Sequence, residues 1–136
     1  MMKKIPGNNG SVFLITLFVV AMLSAVVMGM LQITTEEIQL MRNQIWATQA
    51  LTIAEAGLND ALAEIRTDDE WDDGFEDKAF AGGSYTVDID EDLPEVTIES
   101  TGTSPQGYVA RVTAKITVAS SGPPFVIRID ELRINE

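Results

Sequence analysis

The sequence predicts an α+β fold: a long N-terminal α-helix, apolar all round in its first half, packs by its second half on a small antiparallel sheet of about four strands. Three observations predict it. Residues 12–31 form an uncharged apolar run of twenty, an apolar stripe of helical period continues to residue 65, and beyond residue 83 apolar and polar residues alternate with period two.

The apolar run is interrupted only by Thr16, Ser24 and Gly29. At about 1.5 Å per residue, twenty residues span a hydrocarbon core of about 30 Å, so a membrane-crossing helix is the default reading. A cleaved secretory signal fits poorly. The run exceeds the usual h-region of ~7–15 residues, and its exit "GMLQITTEEIQ" offers no small-x-small cleavage site. Lys3 and Lys4 precede the span whereas Glu36 and Glu37 follow it, which predicts a cytoplasmic N-terminus and everything after Leu31 outside.

The helical signal continues past the span. Ala47, Leu51, Ala54, Leu58, Ala61 and Ile65 recur at helical spacing, and no proline falls between Ser11 and Arg66. One helix of about 55 residues is the simplest expectation. The acidic, glycine-containing stretch "RTDDEWDDGFEDKAFAGGS" ends it and is expected to be a loop. Strands are then expected in "SYTVDIDED", "EVTIEST", "YVARVTAKITVA" and "FVIRIDELRI", with turns at "DEDLP" and "GTSPQG". A sheet with one apolar face buries it against the stripe carried by Leu51, Ala54, Leu58, Ala61 and Ile65.

Composition narrows the function. The chain carries 9 Lys+Arg against 21 Asp+Glu, a net charge of -12, and residues 67–136 hold 16 acidic and 5 basic side chains. Such a surface repels nucleic-acid phosphates and anionic membranes, so no nucleic-acid partner is expected. Cysteine and histidine are both missing, which removes disulfides, thiolate sites and the commonest general base. Carboxylates are plentiful enough to imagine a small anchored hydrolase. However, no phosphate loop, zinc signature or Gly-x-Ser-x-Gly elbow appears, and no enzyme activity is expected.

The junction "KKIPGNNG/SVFLITLFVV" joins a short basic leader to the apolar run through Gly10. With a helix that continues outside the membrane, it resembles a bacterial type IV prepilin. "ATQALTIAEAGLNDALAEI" is similar to the "A-x-x-A-x-x-A-E-A-G-L" signature of PilX-like minor pilins and pseudopilins. "GSYTVDI" followed by "VTIESTGTSPQGYVARVTAKI" matches their pattern of strand, strand, "S-T-G" turn and strand. The resemblance runs from the leader to about Val118 and implies a pilin-like fold. It implies cleavage by a membrane-embedded prepilin peptidase between Gly10 and Ser11, with methylation of the new Ser11 amine. It also implies residence in the bacterial inner membrane as a single-pass protein, then incorporation into a filament with other pilin or pseudopilin subunits through an inner-membrane assembly platform. The filament would be a type IV pilus or a type II secretion pseudopilus.

The implied organisation is a cleaved leader (1–10), a transmembrane or filament-core helix half (11–32), an amphipathic half (33–66) and an extracytoplasmic sheet domain (67–136). In one respect the chain departs from the family. Most major pilins have a glutamate as the fifth mature residue, and here Ile15 holds that place. The departure argues against a repeating major subunit and resembles the minor subunits that prime assembly at or near the tip. The alternative is an uncleaved, membrane-anchored extracytoplasmic binding domain.

Related pseudopilins use calcium in the region of the acidic run, so Asp72, Asp73, Asp88 and Asp90 are candidate oxygen ligands for calcium, the one cofactor the sequence raises. The run does not fit an EF-hand loop: with Gly74 at its sixth place, Trp71 and Phe80 would occupy ligand positions. A solvated acidic loop is therefore the preferred reading and calcium the alternative, and Trp46 and Trp71 are expected to be packing or interface anchors.

Overall fold

The structure, a computed structural model, describes residues 9–119 and 122–135. One helix, α1 (Asn9–Thr67), is followed by five strands: β1 (Phe75–Phe80), β2 (Gly83–Asp92), β3 (Glu95–Thr103), β4 (Val109–Ala119) and β5 (Val126–Asn135). The fold is α+β as expected. The chain divides after Met41. The described residues up to Met41 are helix alone, and from Arg42 onward the rest of α1 and the strands form one packed unit.

The strands form a single sheet in the order β1-β2-β3-β4-β5, each antiparallel to its neighbour. Short turns suffice for such a meander. The β2–β3 turn holds a cis Leu93–Pro94 bond, and the β3–β4 turn closes on itself, Ser104 N–H donating to Tyr108 O (2.8 Å) and Gly107 N–H to Ser104 O (2.9 Å).

Along β3 and β4 burial alternates residue by residue, as one covered face requires. Val96, Ile98, Val112, Ala114, Ile116 and Val118 point toward the helix and are buried with Ile53, Ala54, Leu58, Ala61 and Ile65. Burying these side chains against each other, with Tyr85 and Val87 of β2, is the core of the molecule.

Two expectations need correction. The sheet has five strands instead of about four, because β1 lies inside the stretch expected to be an acidic loop. β1 shows no alternation, since a bulge sets Glu76 and Asp77 against Thr86 alone, between the pairs Phe75–Val87 and Lys78–Tyr85. Asp77 takes a positive φ of 45° there, and its N–H donates to Thr86 Oγ1 at 3.2 Å. The second correction concerns "S-T-G". Ser100, Thr101 and Gly102 lie within β3, paired with Val112, Arg111 and Ala110, and the turn begins only after Thr103.

Candidate functional site

The junction implied by the resemblance lies at the beginning of α1. Gly10 and Ser11 are exposed helical residues there, and Lys3 and Lys4 lie outside the described residues. Beyond them α1 is apolar, and its window for crossing a membrane has none of its residues buried within the protein. The polar atoms in this half are silenced locally: Thr16 Oγ1 donates to Val12 O and Ser24 Oγ to Val20 O, both at 2.8 Å. Returning each hydroxyl proton to the preceding turn leaves no donor that needs water. Val20, Leu23, Ser24, Val27, Met28 and Leu31 line a shallow apolar concavity on the helix surface. Ile15 is 61% exposed on the same segment. By length and composition, α1 is a helix able to cross a membrane, compatible with a membrane anchor.

A second locus is the seam between α1 and β3, which brings together the two motifs that carry the resemblance. Ser100 Oγ, fully buried, donates to Ala54 O at 2.7 Å. Gly57 faces Ser100 and Tyr85: a Cβ there would lie 2.8 Å from Tyr85 Cδ2 and closer still to Ser100 Oγ. Gly102 sits against the helix backbone itself, where a Cβ would lie 2.9 Å from Ala54 Cα and nearer to Ala50 O and Ala54 N. Gly102 therefore lets helix and strand approach at backbone distance, and Gly57 leaves the room that the Ser100 hydroxyl and the Tyr85 ring occupy.

Of the expected packing residues, Ala54, Ala61 and Ile65 are fully or almost fully buried and Leu58 is 7% exposed, while Leu51 packs at the edge of the cluster. The face is wider than the stripe named from the sequence, since Ala50 and Ile53 are fully buried too. Glu55, within the helical motif, is exposed.

Beside the seam, Asp60 of α1 ties the helix to β1 and β2. Lys78 Nζ donates to Asp60 Oδ2 at 2.8 Å, the Tyr85 hydroxyl donates to the same oxygen, and Lys78 lies 4.3 Å from the centre of the Phe75 ring. The Lys78 bond first, and then the Tyr85 bond, hold the Asp60 carboxyl below its ordinary value of 3.8. Lys78 is raised above 10.5, chiefly by its bond to Asp60, and Tyr85 above 10.0, chiefly by burial. The two tryptophans are anchors of the same unit. Trp46 packs on Tyr108 (5.6 Å between centroids), whose hydroxyl donates to Asn43 Oδ1 at 2.7 Å, and Trp71 packs on Phe75 (5.1 Å).

The candidate calcium ligands are spread over two elements. Asp72 and Asp73 are exposed in the segment before β1, and Asp88 and Asp90 are exposed on the outer face of β2, opposite Glu99 and Thr97. Among the described residues, no three Asp, Glu, His or Cys side chains come together as a group able to hold a metal ion. Glu99 is engaged by Arg111 at 3.2 Å. The outer face also carries a groove of about 540 Å³ over β3, β4 and β5, lined among others by Glu95, Thr97, Lys115, Arg128 and Asp130.

Sequence reasoning missed Ser100, Gly102, Asp60 and Lys78 as partners in this seam. A glycine interior to a strand was the available signal for Gly102, because it marks close backbone approach. Asp60 and Lys78 carry no local signal: they are polar residues on polar faces that only the tertiary fold joins. Comparison with known protein families, with curated proteins and with solved structures finds no match to this chain.

Proposed function

We propose that this chain is a minor pilin or pseudopilin subunit, cut between Gly10 and Ser11 and assembled into a type IV pilus or type II secretion pseudopilus. The observation that carries the reading is the seam. The "A-E-A-G-L" helix motif and the "S-T-G" strand motif, 46 residues apart at the Ala54–Ser100 bond, meet at 2.7 Å. Both motifs resemble the same family, and their contact gives each a physical reason to exist in one chain.

In this reading the work of the protein is assembly rather than chemistry. The apolar half of α1 resides in the inner membrane until the assembly platform extracts it, after which helices of neighbouring subunits replace lipid around it. Ser24, Ala25 and Gly29 permit close approach in either setting. Ile15 replaces a buried carboxylate that would be costly among apolar helices, which fits a tip-proximal, assembly-priming subunit better than a repeating one.

The second reading, an uncleaved anchored binding domain, draws on the outer-face groove between Glu95 and Asp130. Expression beside a prepilin peptidase separates the two. The wild-type chain is expected to shorten and the Gly10→Val chain to stay at full length; a wild-type chain that never shortens contradicts the pilin reading.

A further inference from the structure

The exposed part of α1 is apolar all round only as far as Leu31. In residues 32–42 polar and charged side chains enter, and they leave one seam clear. At heptad spacing this seam has Leu17, Ser24, Leu31 and Ile38 at its a places and Val20, Val27, Thr34 and Met41 at its d places. Any other frame brings Glu36, Glu37 or Arg42 into the seam. The large apolar side chains along it are at least 47% exposed. Its two hydroxyls are spent within the helix, Ser24 Oγ donating to Val20 O at 2.8 Å and Thr34 Oγ1 to Met30 O at 3.0 Å. No seam donor is left that needs water. The apolar concavity lies on the same line, formed by Val20, Ser24, Val27 and Leu31 with Leu23 and Met28 at the flanking g and e places. A hollow among such residues is what a side chain of a second helix fills.

Charge indicates which helix. Glu37 holds a g place and Arg42 the e place of the next heptad, while Glu36 holds the f place, farthest from the seam. In parallel helices that stand level, a g residue faces the e residue of the next heptad on its neighbour. Arg42 is the only basic residue between Ser11 and Ile65, and it falls where a second copy's Glu37 would meet it. Among the described residues neither takes part in an ion pair of its own chain, so the pairing breaks none.

We propose that α1 is a self-association helix: copies of this chain stand side by side in a membrane, parallel and level, joined along the seam from Leu17 to Met41. Glu37 of each copy pairs with Arg42 of its neighbour just outside the hydrocarbon. Copies that cross in the same sense are parallel from the outset. Leucine at a with β-branched valine at d suits three or four helices as well as two, and the pairing of Glu37 with Arg42 is the same in each. Such a contact sets identical residues level and closes on itself, whereas a filament needs a rise between neighbouring copies. It is therefore separate from filament assembly and requires only that α1 cross a membrane, whether or not Gly10 is cut.

The chain contains no cysteine, so single introduced thiols report the contact without background. In membrane vesicles holding the full chain, I38C and M41C are expected to form disulfide-linked dimers under mild oxidation at least about fivefold faster than Q39C, L40C and N43C. These positions lie within two turns of one another and are all exposed, so the difference reads the face of the helix and not access. Adding E37R to M41C is expected to slow coupling at least about threefold, and adding R42E as well to restore it. Equal coupling around the helix overturns the proposal, as does coupling that peaks at L40C. So does an M41C chain indifferent to E37R, or one in which R42E fails to restore what E37R removed. Seam thiols that couple in native membranes to a different protein, in place of a second copy, would overturn it as well.

Discussion

The two halves of α1 are both rich in apolar residues and sit in opposite surroundings. In residues 12–31 the large apolar side chains are between 47% and 68% exposed, whereas Ala50, Ile53, Ala54, Ala61 and Ile65 are at most 1% exposed. The difference lies in what the rest of the chain supplies. The second half has one apolar side and a sheet to cover it, and the two account for each other. The first half is apolar on every side, and its large apolar side chains are exposed. Such a surface calls for lipid or neighbouring helices as its solvent. One helix is thus packed within the chain along one stretch and, along the other, is long and apolar enough to cross a membrane.

The largest expected effect lies at the closest approach in the second half. Gly102→Val drives a side chain into the helix backbone at Ala50 and Ala54, which no rotamer relieves. A loss of at least about 3 kcal/mol is expected in urea unfolding of a soluble fragment beginning near Gln39, enough to leave so small a domain largely unfolded. Leu58→Lys places a charge in the core and is expected to cost about 3 kcal/mol or more in the same fragment; an unchanged melting curve would contradict the helix–sheet packing. The matching change in the first half, Leu23→Lys, is expected to leave the melting of the sheet unit untouched in the full chain. It should instead reduce membrane insertion by about 2.5–3.5 kcal/mol on insertion assays. If Leu23→Lys unfolded the sheet, the contrast between the halves would fail.

Ser100→Ala removes one buried hydrogen bond and is expected to cost about 1 kcal/mol, since the Ala54 carbonyl keeps its place in the helix ladder. The smallest effect belongs to the Asp60 cluster, whose lysine and carboxylate are each about half exposed and so screened by water. Asp60 is held below 3.8, so its stabilisation is complete above that pH and is lost as pH falls through the lower folded value. Lys78 and Tyr85 are raised above 10.5 and 10.0, so their contributions are complete below those values and lost as pH rises through the higher folded ones. The melting temperature is therefore expected to fall at both extremes, and Asp60→Asn to flatten the acid limb of that profile.

Much of this contrast was legible in the sequence because it rests on periodicity. The uncharged run, the stripe through Ala54, Leu58, Ala61 and Ile65, and the alternation in β2 to β4 are one-dimensional patterns that burial imposes directly. β1 escaped because its bulge breaks the alternation and because its residues after Phe75 are all exposed, leaving no buried face to pattern. Ala50 and Ile53 escaped because a single line of helical steps traces one edge of a face, and this face is two residues wide. "S-T-G" read as a turn because the resemblance places one there, whereas here Gly102 serves close approach within a strand. The seam joins residues about 45 positions apart, and only the folded sheet places them together.

The most direct measurement is the intact mass of the protein purified from its native membrane. The expected result is a chain that begins at Ser11 and carries one added methyl group; a chain that still contains Lys3, Lys4 and Gly10 would contradict the pilin reading.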